Sequence, residues 1–311
     1  MSLRVPQLNP RAYQRITLVA AGLLSIIIVT GGAVRLSGSG LGCPDWPACS
    51  TLKHHGAYDG HAVIEFLNRL FTGLVSIAVI ICVLGSLRRV PRRRDLTLLS
   101  LGLVAGVFGQ ALLGGLVVIF ELQPPLVMAH FLLSLALLTN AIVLHRRAAQ
   151  PEAPSRPVVA PQVRTAGRYL LVVAAAVVVA GTVVTATGPH GGDEKAKRFD
   201  FDLPQVARVH GSLVVALIFL TVVTFWLLRR TQAPIDVQQR LGVLFGVILA
   251  QGAIGYVQYF NDIPAVLVGF HIAGATAMWA AAVWYFLGLS TREQPVTAPA
   301  SDPREPAMAG T

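Results

Sequence analysis

Leu126-Val-Met-Ala-His130 recurs as Leu267-Val-Gly-Phe-His271, and Gln110-Ala-Leu-Leu-Gly114 recurs as Gln251-Gly-Ala-Ile-Gly255, both after 141 residues. One offset shared by two motifs marks an internal duplication. A third echo joins Val34-Arg35-Leu36-Ser37-Gly38 to Val184-Thr-Ala-Thr187-Gly188. The repeated motifs lie in apolar runs long enough to cross a bilayer, which takes about 20 residues at about 1.5 Å rise each. Outward from them the chain holds eight such runs, at 16–34, 62–87, 96–119, 126–145, 168–187, 206–228, 241–259 and 265–289. Composition agrees: 54% of the residues are hydrophobic and 13% charged, against about 25% charged in a soluble domain. The expected fold is all-α, a polytopic membrane protein with eight transmembrane helices as two pseudo-symmetric four-helix bundles. Four spans per half is an even number, so the halves share an orientation about an axis along the membrane normal. The expected organisation is a first half at 12–147, a Pro/Ala/Arg-rich linker at 148–165, a second half at 166–290 and a disordered tail at 291–311.

Orientation follows the basic residues. Arg4, Arg11, Arg15, Arg88, Arg89, Arg92–Arg94, Arg146, Arg147, Arg156, Arg164, Arg168, Arg229, Arg230, Arg240, Arg292 and Arg304 fall on one side. That side is the cytoplasmic one, so both termini are expected there and the location is the plasma membrane. The first run is too apolar and too long for a signal peptide, and no small-residue cleavage site follows it. The net charge of +10 reads as a topology signal and an attraction to the anionic lipid bilayer. A nucleic-acid partner is excluded, because the cations are scattered over loops without a binding module.

Cys43-Pro-Asp-Trp-Pro-Ala-Cys49 lies in the first outer loop, on the oxidising face, where a disulfide is the natural reading. Whether it only staples the loop or has a redox role stays open. Cys82, inside the second span, reads as a small core residue. Ionisable groups inside a membrane mark function. Glu65 is the one carboxylate well inside a span, with Arg69 four residues on. His130, His210 and His271 lie a few residues inside the outer ends of spans four, six and eight, and His61 at the lip of span two. A lone histidine on a bundle helix is more often a hydrogen-bonded core residue. Three at one depth, two of them related by the repeat, point instead to axial ligation of haem iron in an apolar cleft. Zinc asks for a third and fourth ligand, which the spacing does not offer.

Here the sequence resembles the haem A synthase family, which oxidises a methyl of haem O to the formyl of haem A for cytochrome c oxidase. The matching stretches are Gly31-Gly-Ala-Val-Arg35-Leu-Ser-Gly-Ser-Gly40-Leu-Gly-Cys43-Pro-Asp45-Trp46-Pro, Glu65-Phe-Leu-Asn68-Arg69, Gln110 to Gly115, His130, Thr187-Gly-Pro-His190, His210 and His271. The resemblance implies a haem b held by His210 and His271, and a first-half pocket for the substrate haem O on His130. It also implies a haem O synthase as supplying partner, beside an electron acceptor that the sequence leaves unnamed; a homo-oligomer stays open. One position departs from the family pattern: Glu-x-x-His-Arg reads here with Asn68 as its fourth residue. His130 is then the sole axial ligand expected of the first-half haem. Asn68 is either a packing amide or a group that faces the substrate. His61, on the same helix face but about 10.5 Å further out, serves only a haem nearer the surface.

Glu65 is the expected proton acceptor, with Arg69 as its partner or as a propionate anchor. The alternative is that the pair merely neutralises itself. His190 stands in a turn-rich outer loop, either covering a propionate or shaping the turn. His54 and His55 read as a solvated pair, His145 as interfacial, and Glu121 and Asp262 as structural. Two rival functions share the histidines. A di-haem b-type electron carrier wants both haems held on two sides, and a haem transporter wants broken helices near mid-membrane.

Overall fold

The structure, a computed structural model, describes residues 7–51 and 59–292. Lys53, His54, His55 and the expected disordered tail from 293 onward lie outside the described residues. Among the described residues eight helices are long and apolar enough to cross a membrane. They are α1 (Pro10–Leu36), α2 (Gly60–Arg88), α3 (Arg94–Ile119), α4 (Pro124–Ala148), α5 (Pro161–Thr187), α6 (Leu203–Arg230), α7 (Ile235–Phe260) and α8 (Ala265–Gly288).

Their ends follow local chemistry. Asn9, Asp59 and Asp202 cap α1, α2 and α6, accepting from the backbone N–H groups of Ala12, Ala62 and Gln205. Proline occupies the first turn of α1, α4, α5 and α6, where its missing N–H costs nothing. Within the spans, hydroxyls such as those of Ser76, Thr139, Thr221 and Thr276 bond the carbonyl four residues back. No polar group of theirs is thereby left bare toward lipid. α5 begins at Pro161, so the last third of the 148–165 stretch is helix. The rest carries β1 (Arg156–Pro157), which pairs antiparallel with β2 (Ser290–Thr291) just after α8.

Each half closes as a ring. α1 packs on α2, α2 on α3, α3 on α4 and α4 back on α1, and α5 to α8 repeat the order. The halves meet through α1 on α8, α4 on α5 and α4 on α8. The first two contacts exchange under the repeat and the third lies on its axis, as a two-fold along the bundle requires. Trp279 of α8 donates its indole N–H to Thr139 Oγ1 of α4 at 2.9 Å across that seam. The connections α3–α4 and α7–α8 are the same tight turn. Glu121 and Leu122 sit at φ 49° and 60°, Asp262 and Ile263 at 57° and 54°. Left-handed backbone suits Asp but strains a β-branched Ile; the Ile263 carbonyl accepts from His190.

Candidate functional site

His210 of α6 and His271 of α8 face each other in the second half, ring centres 6.4 Å apart and planes at 74°. Two metal–nitrogen bonds of about 2.0 Å, with about 1.1 Å from each nitrogen to its ring centre, ask for about 6.2 Å. His210 Nδ1 lies 3.1 Å from the Val177 carbonyl. Donating a proton there leaves Nε2 as a bare lone pair, the form that ligates a metal. His271 Nδ1 is buried without a hydrogen-bond partner. Glycines let the rings lie flat against neighbouring helices. A Cβ at Gly181 would stand 3.1 Å from His210 Cε1, and one at Gly255 would stand 3.2 Å from His271 Cε1. Donors and spacing fit a haem held from both sides.

The first half repeats one side of this arrangement. A Cβ at Gly114 would lie 3.2 Å from His130 Cε1, and His130 Nδ1 is again buried and unpartnered. Gln110 donates its amide to the His130 carbonyl at 3.1 Å, as Gln251 does to that of His271 at 2.8 Å. The Gln repeat is visible in the sequence; its tie to the histidine backbone is not. By the repeat, Asn68 of α2 is the counterpart of His210, and its Oδ1 is buried without a partner. Its neighbour Leu67 is 56% exposed toward lipid, and Arg69 is engaged elsewhere.

Cys43 and Cys49 form a disulfide, and the loop between them is bound to α2. Glu65, 6% exposed, accepts the Cys43 N–H on Oε2 at 2.7 Å, and Arg69 Nε and an Arg69 terminal nitrogen on Oε1. Arg69 continues to the carbonyls of Cys43 at 2.9 Å, Asp45 at 3.2 Å and Ala48 at 2.8 Å. Trp46 lies on Gly115, where a Cβ would be 2.9 Å from the indole. Gly115 follows the glycine that seats His130, so the loop spans from α2 to α3 over the end of the first half where α2 and α4 begin. Asp45 accepts the Ser50 N–H on both oxygens, at 2.9 and 3.0 Å. These bonds, with the Arg69 guanidinium nearby, hold its carboxyl below the usual carboxylate range.

The remaining polar residues serve the loops in this geometry. His61 Nδ1 pairs with Ser39 Oγ at 2.9 Å. His190 Nε2 donates to the Ile263 carbonyl at 2.7 Å, while its own carbonyl accepts from Arg35 Nε at 2.7 Å. Arg35 also reaches the Thr185 carbonyl at 2.8 Å, and so ties α1 of the first half to the end of α5 in the second. Sequence reading leaves that tie unseen, because the two carbonyls lie 150 and 155 residues further along the chain. His145 pairs with Thr17 Oγ1 at 3.1 Å near the end where α1 begins and α4 finishes, and Cys82 is buried and free.

Comparison with known proteins places this geometry. Residues 14–189 match the model of the COX15-CtaA family, described as cytochrome oxidase assembly protein. The chain is similar to a heme A synthase of Lysinibacillus sphaericus, 31% identical over 128 residues, 40% of this chain and 42% of that one. It is similar to heme A synthases of Shouchella clausii, 29% over 148 residues (47% and 49%), and Shewanella oneidensis, 29% over 150 residues (43% and 44%). The matched stretches thus span less than half the length of these curated relatives. Because the family model covers more than half of its residues, the chain belongs to the COX15-CtaA family of cytochrome oxidase assembly proteins.

Proposed function

We propose that the chain is a haem A synthase, an oxidoreductase that turns a methyl group of haem O into the formyl group of haem A. The opposition of His210 and His271 at 6.4 Å carries the reading, since it supports a resident haem b in the half that lacks the buried carboxylate. His130 holds the substrate haem in the other half. Bound haem b supplies one-electron transfer. With water as oxygen source, methyl to formyl releases four protons and four electrons, so the site needs a proton acceptor and an electron acceptor.

Glu65 is the group placed to take a proton. Oε1 is saturated by Arg69, whereas Oε2 carries only the Cys43 N–H and keeps a lone pair free. Arg69 pairs with the carboxylate and holds it in place. The contrast between a two-histidine and a one-histidine half favours an enzyme over an electron carrier, which gains nothing from a loosely held haem. Pigment extraction from the purified protein tests this: haem A or hydroxylated haem O is expected, and haem B alone would overturn it. The supplier is a haem O synthase in the same plasma membrane. Both termini lie inside; after reduction, Cys43 and Cys49 should react with an impermeant thiol reagent added outside, and reaction only from the cytoplasm would reverse the orientation.

A further inference from the structure

The two halves seat their α4 and α8 histidines alike but differ where the second axial ligand would stand. His130 and His271 are related by 141 residues, and Asn68 stands 142 before His210. Gly181 of α5 is filled by the His210 ring at 3.1 Å, whereas its counterpart on α1, Gly31, has nothing within 4 Å. The space that an imidazole occupies in one half is therefore open in the other. Asn68 ends one covalent bond nearer its backbone than an imidazole Nε2 would. Its amide oxygen belongs to the ligand class that suits Mg, Ca and Mn, where imidazole suits iron. The neighbouring candidates on α2 are engaged elsewhere: Glu65 and Arg69 hold the disulfide loop, His61 is paired with Ser39, and Leu67 is exposed.

We propose that the first-half haem has one protein ligand, His130, and an open opposite face beside Asn68 that takes a water- or diatomic-sized ligand. The proposal rests on the reading of that half as a haem pocket. The Asn68 oxygen, buried and unpartnered, would accept a hydrogen bond from such a ligand, and the amide N–H₂ would donate one. Leaving a buried acceptor without a partner is unfavourable, so a ligand that satisfies it is favoured there. The second half, closed by histidine on both sides, has no such place.

The test uses the full chain in detergent, titrated with ferric protohaem to saturation, reduced with dithionite and exposed to carbon monoxide. Two haems per chain are expected, one low-spin and one that binds carbon monoxide. Asn68→His should convert the second to a low-spin spectrum. Carbon monoxide binding should fall by about tenfold or more, because a tethered imidazole competes at millimolar or higher effective concentration. Asn68→Ala should retain carbon monoxide binding, and His130→Ala should lose the first-half haem. The His210–His271 band reports intact folding in every variant. Two haems per chain with no carbon monoxide binding in the unaltered protein would overturn the open face while leaving the pocket standing. So would carbon monoxide binding unaltered by Asn68→His. Saturation at one haem per chain would overturn the pocket itself, and with it the proposal.

Discussion

Arg69→Gln separates the two roles the outer end of α2 combines. Arg69 donates to three loop carbonyls, those of Cys43, Asp45 and Ala48. Hydrogen bonds to a charged group contribute about 1.5–3 kcal/mol each when buried. With the Arg69 side chain 23% exposed, about 1 kcal/mol each is the fairer figure. Losing its cation also leaves Glu65, 8% exposed at its side chain, unpaired or protonated, for at least about 1 kcal/mol more. Loop opening should then ease by about 4 kcal/mol, a factor of about a thousand at 1.4 kcal/mol per tenfold. Cys43 is fully buried and Cys49 partly so, so loop opening eases the approach of a thiol reductant to the disulfide. Reduction by an added thiol should accelerate by about two to three orders of magnitude in Arg69→Gln. In Glu65→Gln the Cys43 N–H keeps an oxygen acceptor but an amide N–H₂ meets the guanidinium, and about tenfold is expected. The double variant should fall below the product of the two, because glutamine pairs with glutamine. Reduction at the unaltered rate in Arg69→Gln would refute the clamp. If the double variant protects the disulfide yet makes no haem A, the carboxylate itself is required for chemistry. If Glu65→Gln still makes haem A at the normal rate, Glu65 only holds the loop.

His210→Ala or His271→Ala should each abolish the low-spin haem b spectrum while His145→Ala leaves it unchanged; an unaltered spectrum in both would remove them as ligands. Asp45 has its folded-state affinity for protons depressed by the Ser50 N–H bonds, so its contribution to loop stability is present above the unfolded value of about 3.9 and is lost as pH falls through the lower folded value. Protease resistance of the 43–50 segment should therefore stay level from neutral pH to about 5 and weaken only below about 4, and Asp45→Asn should remove that acid step. Arg35→Gln strands the carbonyls of Thr185 and His190, and should lower stability by about 2–3 kcal/mol, read as a drop in the midpoint of thermal haem b loss. Arg35→Lys should not restore it, since two different guanidinium nitrogens are used; full rescue by Lys would show that charge alone matters there.

Eight spans and their duplication are legible in the chain because the bilayer demands length and apolarity from each segment separately, and the 141-residue echo needs no partner to be seen. His130, His210 and His271 stand out as candidates for the same reason: ionisable groups at one depth contrast with lipid-compatible neighbours. Cys43 and Cys49 are six positions apart, close enough for local chain to pair them. Which face of each helix turns inward is another matter. Helices such as α3 and α8 are apolar all round, and lipid rewards the same side chains as the core, so the usual periodic contrast that sets helix rotation is weak. Only the packed structure therefore shows that the Asn68 Oδ1 is buried while its neighbour Leu67 is exposed. Only it shows that Gly31 opens onto space while Gly181 meets a ring. The same holds for Glu65 and Arg69. Their spacing of four announces an ion pair, but the loop backbone that occupies the rest of their hydrogen-bonding capacity lies about 20 residues earlier, across a turn no local rule specifies. Arg35 reaches carbonyls 150 and 155 residues away, a contact that exists only once the two halves have docked.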